Sequence, residues 1–284
     1  MRLLLVAGLS AGIAVAQSPQ VPTDHYGPPT CPGVHIVHGP SVADATAEQE
    51  QGAQHSNALL AAEPMENFAL TRSRLADYAN CTVAGVCYWA DLDTQYQRAE
   101  HALAEQVQLA KQQAATSHAP AAKLALVMDI DETTLSSYCE MQREDYGYVG
   151  PMFNAWVVSP EAAMAIPGAL RLFHEAQQAG VAVFFITGRP GVPDGSAARP
   201  GSDQTDATKA NLQAAGFHDW AGLALRNGSE NLMPTIAYKS SERQRIVDRG
   251  YRIVMSVGDQ WSDLLGDPQA TVDVKLPNPF YFLP

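Results

Sequence analysis

The sequence predicts an α/β fold: a parallel sheet with helices on both faces, preceded by a helical N-terminal extension and carrying a small cap insertion. Three observations lead there. From Lys123 onward, short apolar runs alternate with amphipathic stretches, the pattern of strands joined by covering helices. Between Val42 and His118 the composition turns to Ala, Glu, Gln and Leu, with apolar positions at three-and-four spacing and no strand signal. An apolar fraction of 46% over 284 residues is ample for a real core.

The elements follow in chain order. "MRLLLVAGLSAGIAVAQ" joins one basic residue, an apolar run from Leu3 and a small-x-small site at Ala14 and Ala16. This is the pattern of a secretory leader over 1–16, cleaved near Ala16, and its run is too short for a membrane anchor. The mature protein is therefore expected to be secreted or periplasmic. Residues 17–41 are rich in Pro and Gly and read as an extended arm; the two histidines of its "HIVH", His35 and His38, have no carboxylate beside them and read as surface or packing residues. Residues 42–120 read as the helical extension, with "ENFALTRSRLADYANC" and "YWADLDTQYQRAEHALAEQVQLAKQQAA" as its helices.

Residues 121–284 read as the α/β domain, with the cap segment at about 138–165. "KLALVMDID" is a strand, "PGALRLFHEAQQAG" a helix from Pro167 to Gly180, "VAVFFITG" a strand and "DATKANLQAAG" a helix. "GLALRN", the helix "SSERQRIVDRG", the strand "YRIVMSVGD" and a last short strand in "TVDVKLP" complete it.

Charge and cysteine content narrow the function classes. A formal charge of −12 leaves no basic stripe, which excludes electrostatic binding of a nucleic-acid polymer or an anionic lipid surface. Any anionic ligand must be small and locally neutralised. The four cysteines, Cys31, Cys81, Cys87 and Cys139, are an even set in a chain with an export signal, so disulfides are expected, with three connectivities open. Cys81 and Cys87 enclose only five residues and can close a short loop. Nothing in the sequence fixes an oligomeric state.

The chemistry concentrates at strand ends, where parallel sheets bind ligands. Asp129 and Asp131 follow the first strand; because side chains alternate along an extended chain, both can face one reacting centre while Ile130 packs away from it. Thr187, Gly188 and Arg189 follow the second strand, and Asp259 and Asp263 follow "RIVMSVG". Lys239 is expected to open the preceding helix. Converging carboxylates with one lysine and one threonine hydroxyl describe a magnesium-bound phosphoryl site: hard oxygen ligands suit Mg²⁺, and without a cation the carboxylates would repel one another and a phosphate. "YGYVGPMFNAW" leaves the first strand at its carboxyl end, so Tyr146, Phe153 and Trp156 are candidates for an apolar substrate wall or for packing of the cap.

"VMDIDETTL", "FFITGR", Lys239 in "AYKSSER" and "SVGDQWSDLLG" together resemble the four ordered motifs of the haloacid dehalogenase (HAD) superfamily. "IPGALRLFHEAQQAG" and the tail "KLPNPFYFLP" point, within it, to subfamily IIIB, the exported acid phosphatases that include plant acid phosphatases, vegetative storage proteins and bacterial class B and C enzymes. The resemblance covers roughly Lys123 to Pro284 and implies a Rossmann-like, HAD-like domain. It implies Asp129 as nucleophile, Asp131 as general acid and base, and Thr187, Gly188 and Lys239 as phosphate-binding groups. Mg²⁺ would be held by Asp129, the Asp131 main-chain carbonyl and Asp259, with Asp263 orienting Lys239 or acting through water. The expected substrate is a small phosphomonoester. Some storage relatives lose the nucleophile, so a storage or binding protein with vestigial activity is the alternative, as is a phosphotransferase; here Asp129 is intact.

Overall fold

The computed structural model describes residues 27–34, 47, 50, 51, 54, 67–117, 122–192 and 203–283. The leader over 1–16, most of the 17–41 arm including His35 and His38, and most of 42–66 lie outside the described residues.

Helix α1 (Phe68–Asn80) begins where Asn67 accepts the Ala69 N–H at 2.9 Å, satisfying one of the first-turn donors. It ends at Cys81, whose positive φ turns the chain, and a disulfide from Cys81 to Cys87 closes the connection to α2 (Tyr88–Ser117). Over its first five turns, α2 buries Tyr88, Trp89, Leu92, Tyr96, Ala99, Leu103 and Val107, a stripe at three-and-four spacing. A second disulfide joins Cys31 to Cys139, tying the arm to the segment after the first strand.

Five strands form one parallel sheet in the order β3-β2-β1-β4-β5: β1 (Lys123–Met128), β2 (Ala182–Pro190), β3 (Gly222–Arg226), β4 (Tyr251–Gly258) and β5 (Val272–Lys275). The chain moves outward from β1 through β2 to β3, then crosses to β4 on the other side of β1. Ligands in open α/β sheets bind at such a reversal, beside the strands' carboxyl ends.

Alternation along β1 divides two cores. Leu124, Leu126 and Met128 join Val183 and Phe185 beneath α2 and α5 (Pro167–Gln178); Ala125 and Val127 join Phe184, Ile186 and Ile253 beneath α7 (Thr235–Asp248). The helices therefore cover both faces. The α2 stripe shares the first core with the sheet and α5, so the helical extension is a layer of the same body. Its approach is close: a Cβ on Gly168 would lie 2.5 Å from the Tyr96 ring, so only glycine fits there. Arg171 on α5 pairs with Asp93 at 2.6 Å and Glu100 at 3.0 Å across the same contact. Pro167 opens α5 and Gly180, at φ 75°, closes it, as expected for a proline at a helix start and a left-handed glycine after its end.

Between β1 and α5 the chain forms α3 (Tyr138–Arg143), α4 (Gly150–Trp156) and a 3₁₀ turn at Pro160–Ala162. It leaves and returns at one place, where the Ser136 N–H bonds to Met164 O at 2.9 Å and the Ile166 N–H to Thr134 O at 3.1 Å. The remaining helices are α6 (Thr205–Ala214) and the short α8 (Trp261–Leu264), with a 3₁₀ turn at Gly228–Leu232.

Two local expectations are corrected. Helix α7 starts at Thr235, one turn before Lys239, because Pro234 leads into it and buried Tyr238 fastens that first turn to the sheet. Strand β1 ends at Met128, and Asp131 lies in a turn in which the N–H groups of Thr133, Thr134 and Leu135 converge on Ile130 O. Strand alternation therefore does not set the Asp131 direction.

Candidate active site

Asp129 leaves β1 still tied to the sheet, its N–H bonded to Val257 O at 3.0 Å, while its own carbonyl accepts the Thr134 hydroxyl at 2.5 Å. The carboxylate is thus fixed from both sides of its backbone. Lys239 reaches it from α7: Nζ lies 2.5 Å from Asp129 Oδ1 and also bonds Asp263 Oδ1. The other Asp263 oxygen accepts the Gln260 N–H at 2.9 Å, capping α8. Gly258 is required by this arrangement, since a Cβ there would sit 2.3 Å from the Asp263 Cβ.

One turn beyond Lys239 on α7, the fully buried Arg243 donates to the carbonyls of Asp263, Leu265, Gly266 and Pro268 at 2.6–2.8 Å. A single helix therefore carries both the ammonium and the brace for the loop that opposes it.

Asp259 is buried after β4. Its Oδ1 accepts the Thr133 hydroxyl at 3.0 Å, and its Oδ2 accepts from Gln260 at 2.6 Å and Asn278 at 2.7 Å. Asp129, Asp259 and Asp263 each offer a carboxylate oxygen within 4.8 Å of the others. Burial pushes the Asp129 carboxyl well above its usual range; Lys239 opposes this, while Asp263, Asp259 and Asp131 add to it. Burial likewise lifts Asp259 to about 6, helped by Asp263 and opposed by its amide donors and Lys239. For Lys239, burial works against the charge, but Asp129 and Asp263 outweigh it and hold the ammonium above its usual value. Three clustered carboxylates face one ammonium, and the oxygen donors left in excess suit a hard divalent cation.

Asp131 turns to a different partner. Arg189 grips it from β2, with Nε 3.0 Å from Oδ2 and Nη2 2.6 Å from Oδ1, while Nη1 is tied to the Thr208 hydroxyl of α6 at 3.1 Å. This is a bidentate fork, the most geometrically restrictive form of such a pair. Thr187 is buried and its hydroxyl oxygen accepts the Arg189 N–H at 3.2 Å, which leaves its own proton to donate. At Gly188 a Cβ would meet nothing within 4 Å, so this backbone faces open space.

The aromatic candidates separate. Tyr146 stacks on Phe280 with centroids 6.2 Å apart and accepts the Asn80 amide, packing the cap against α1 and the tail. Phe153 lies 5.5 Å from Trp156, and Trp156, only 7% exposed, joins Val157 and Ala162 in a small core of the cap.

Sequence reasoning named Arg189 at a strand end without giving it a role, and passed over Thr133, Gln260, Asn278 and the Glu132–Tyr281 pair. Arg189 had a signal, the basic residue closing "TGR". Asn278 and Tyr281 had none, since their partners lie 19 and 149 residues away. Buried Glu132 accepts the Ser137 N–H and hydroxyl, each at 2.6 Å, and the Tyr281 hydroxyl at 2.5 Å. Burial, then the nearby Asp131, lifts its carboxyl to about 7.

Comparison with known proteins places this site in context. The model of HAD superfamily, subfamily IIIB (Acid phosphatase) matches residues 43–284. Acid phosphatase 1 of Solanum lycopersicum is 36% identical over 160 residues, covering 55% of this chain and 58% of that protein. Vegetative storage protein 1 of Arabidopsis thaliana is 33% identical over 162 residues, covering 56% of this chain and 55% of its own. The chain thus matches a little over half the length of these relatives. The solved class C acid phosphatase of Bacillus anthracis has a TM-score of 0.50 at 22% identity, covering 75% of this chain and 86% of that one, which supports the fold.

Proposed function

The chain belongs to subfamily IIIB of the HAD superfamily, the acid phosphatases, and from that membership we propose that it is an exported, Mg²⁺-dependent phosphomonoesterase acting on small substrates. The observation that carries the proposal is the buried Lys239 held between Asp129 and Asp263, with Asp259 within ligand reach. Asp129 and Asp259, with the Asp131 main-chain carbonyl, would hold Mg²⁺, which when bound neutralises carboxylate and phosphoryl charge. Asp263 has both oxygens engaged, one by Lys239 and one by the Gln260 N–H, and so serves to aim the lysine.

Asp129 attacks the phosphorus to form an aspartyl-phosphate, and the bond to the ester oxygen breaks. Asp131 protonates that leaving oxygen, then takes a proton from the water that attacks the phosphorus and releases phosphate. Asp131 enters the first step as the acid and the second as the carboxylate, and the Arg189 fork aims it in the second. The Thr187 hydroxyl and the Gly188 backbone hold the phosphoryl oxygens, while Lys239 offsets their charge. Export agrees with the two disulfides.

The test is turnover of p-nitrophenyl phosphate by pure protein: EDTA abolishes it, Mg²⁺ restores it, and Asp129→Asn lacks it while remaining folded. The likeness to vegetative storage proteins supports a rival reading, a storage protein with vestigial activity. Turnover no faster than that of Asp129→Asn would favour the rival. An added alcohol acceptor that captures the phosphoryl group would indicate a phosphotransferase.

A further inference from the structure

We propose that the C-terminal tail after β5 sets the orientation of Asp259 through two carboxamides, Asn278 and Gln260, so that the last turn of the chain is part of the cation site. The proposal rests on the reading of Asp259 as a ligand.

Asn278 has one end committed to the tail. Its Oδ1 accepts the Phe280 N–H at 2.8 Å and the Tyr281 N–H at 3.4 Å, a local turn that fixes which end of the amide is which. Its Nδ2 then faces Asp259 and donates to Oδ2 at 2.7 Å. The flipped amide would set donor against donor and acceptor against acceptor, so the assignment is determined by its neighbours. Gln260 repeats the device from the other side: Nε2 donates to Asp259 Oδ2 at 2.6 Å and to Tyr281 O at 3.4 Å, and Oε1 accepts the Leu283 N–H at 3.2 Å. Each amide thus bonds the tail backbone and the carboxylate at once.

The consequence is a count of lone pairs. Two amide donors fill Oδ2, while among the described residues Oδ1 accepts only the Thr133 hydroxyl and keeps one lone pair for a cation. The tail is anchored separately by Tyr281 on Glu132 and by the Phe280 ring, 5.1 Å from Tyr88 and 6.2 Å from Tyr146. Those contacts would hold the tail in place without either amide touching Asp259.

Mn²⁺ binding, read from the loss of the free-ion signal in electron paramagnetic resonance, separates positioning from packing. Asn278→Ala is expected to weaken Mn²⁺ binding by ~10- to 100-fold, the usual effect of losing a group that orients a ligand. Phe280→Ala, which loosens the tail but leaves both amides, is expected to lower the melting temperature while weakening Mn²⁺ binding by less than ~3-fold, far short of that loss. If Asn278→Ala does not fold, Gln260→Met removes the other donor and is expected to weaken binding by at least ~10-fold. Wild-type affinity in the folded carboxamide variant, or an equal loss in Phe280→Ala, overturns the inference. Wild-type protein that binds no Mn²⁺ overturns the reading of Asp259 as a ligand, and the inference with it.

Discussion

Replacing Lys239 by Met keeps the unbranched stem, one atom shorter, and removes the ammonium that faces three clustered carboxylates. In the wild type Nζ lies 2.5 Å from Asp129 and also bonds Asp263, and both partners are buried. At an effective dielectric near 20, two opposite unit charges about 4 Å apart attract by about 4 kcal/mol before the cost of desolvation, and closer contacts by more. Removing one member of such a buried set costs about 3–5 kcal/mol, because the remaining charge is left unpaired. For a chain of this size, each kcal/mol moves the melting temperature by ~2–4 °C, so a fall of ~6–20 °C is expected at pH 7.5 in EDTA. The loss should shrink at pH 4.5. Lys239 is held above its usual value and stays charged across this window, whereas Asp129 and Asp259 are raised by burial and take up protons as the pH falls. Calorimetry of both proteins at both pH values is the assay. A difference under ~2 °C at pH 7.5, or one that is the same at both pH values, would refute the reasoning.

Three further outcomes follow from the same geometry. Asp131→Asn should slow turnover by ~10²- to 10⁴-fold, with the greater loss on alkyl phosphates, whose leaving oxygens need the proton most; equal losses on aryl and alkyl substrates would remove Asp131 from the acid's role. Glu132 sits near 7 in the folded protein against an ordinary value of 4.5, so the fold favours its protonated form. Stability of the metal-free protein should therefore fall as pH rises from ~4.5 to ~7, by up to about 3 kcal/mol, and denaturant titration of Glu132→Gln should show a flatter profile over that window. Trp156→Ala should lower the melting temperature through lost cap packing and leave the preference between aryl and alkyl phosphates unchanged; a KM rise confined to aryl phosphates would instead place Trp156 against the substrate.

The sheet was legible because its signals are local. Short apolar runs, Pro167 and Gly180 at the ends of α5, and carboxylates just past β1 and β4 can each be read within a dozen residues. The start of α7 was not legible, because Thr235 and Ile236 are poor helix formers held in place by the burial of Tyr238 against the sheet. What aims Asp131 was not legible for a related reason: the turn gathering three N–H groups on Ile130 O ends the alternation that a strand would have continued, and the Arg189 fork takes its place. Arg189 stood in plain view, but its pairing with Asp131 depends on β2 lying beside β1, a tertiary fact. Asn278, Gln260 and Tyr281 act through a tail that folds back over the site, and no spacing within the tail encodes that return.

The central claim is that Asp129 carries the phosphoryl group. Wild-type protein with Mg²⁺ and a phosphomonoester is quenched during turnover, and the acyl-phosphate is reduced with borohydride, which converts the modified aspartate to homoserine. Peptide mass spectrometry then identifies the position. Homoserine at 129, absent without substrate and absent from Asp129→Asn, is the expected result; turnover with no homoserine at 129, or with the modification at another carboxylate, would contradict the account.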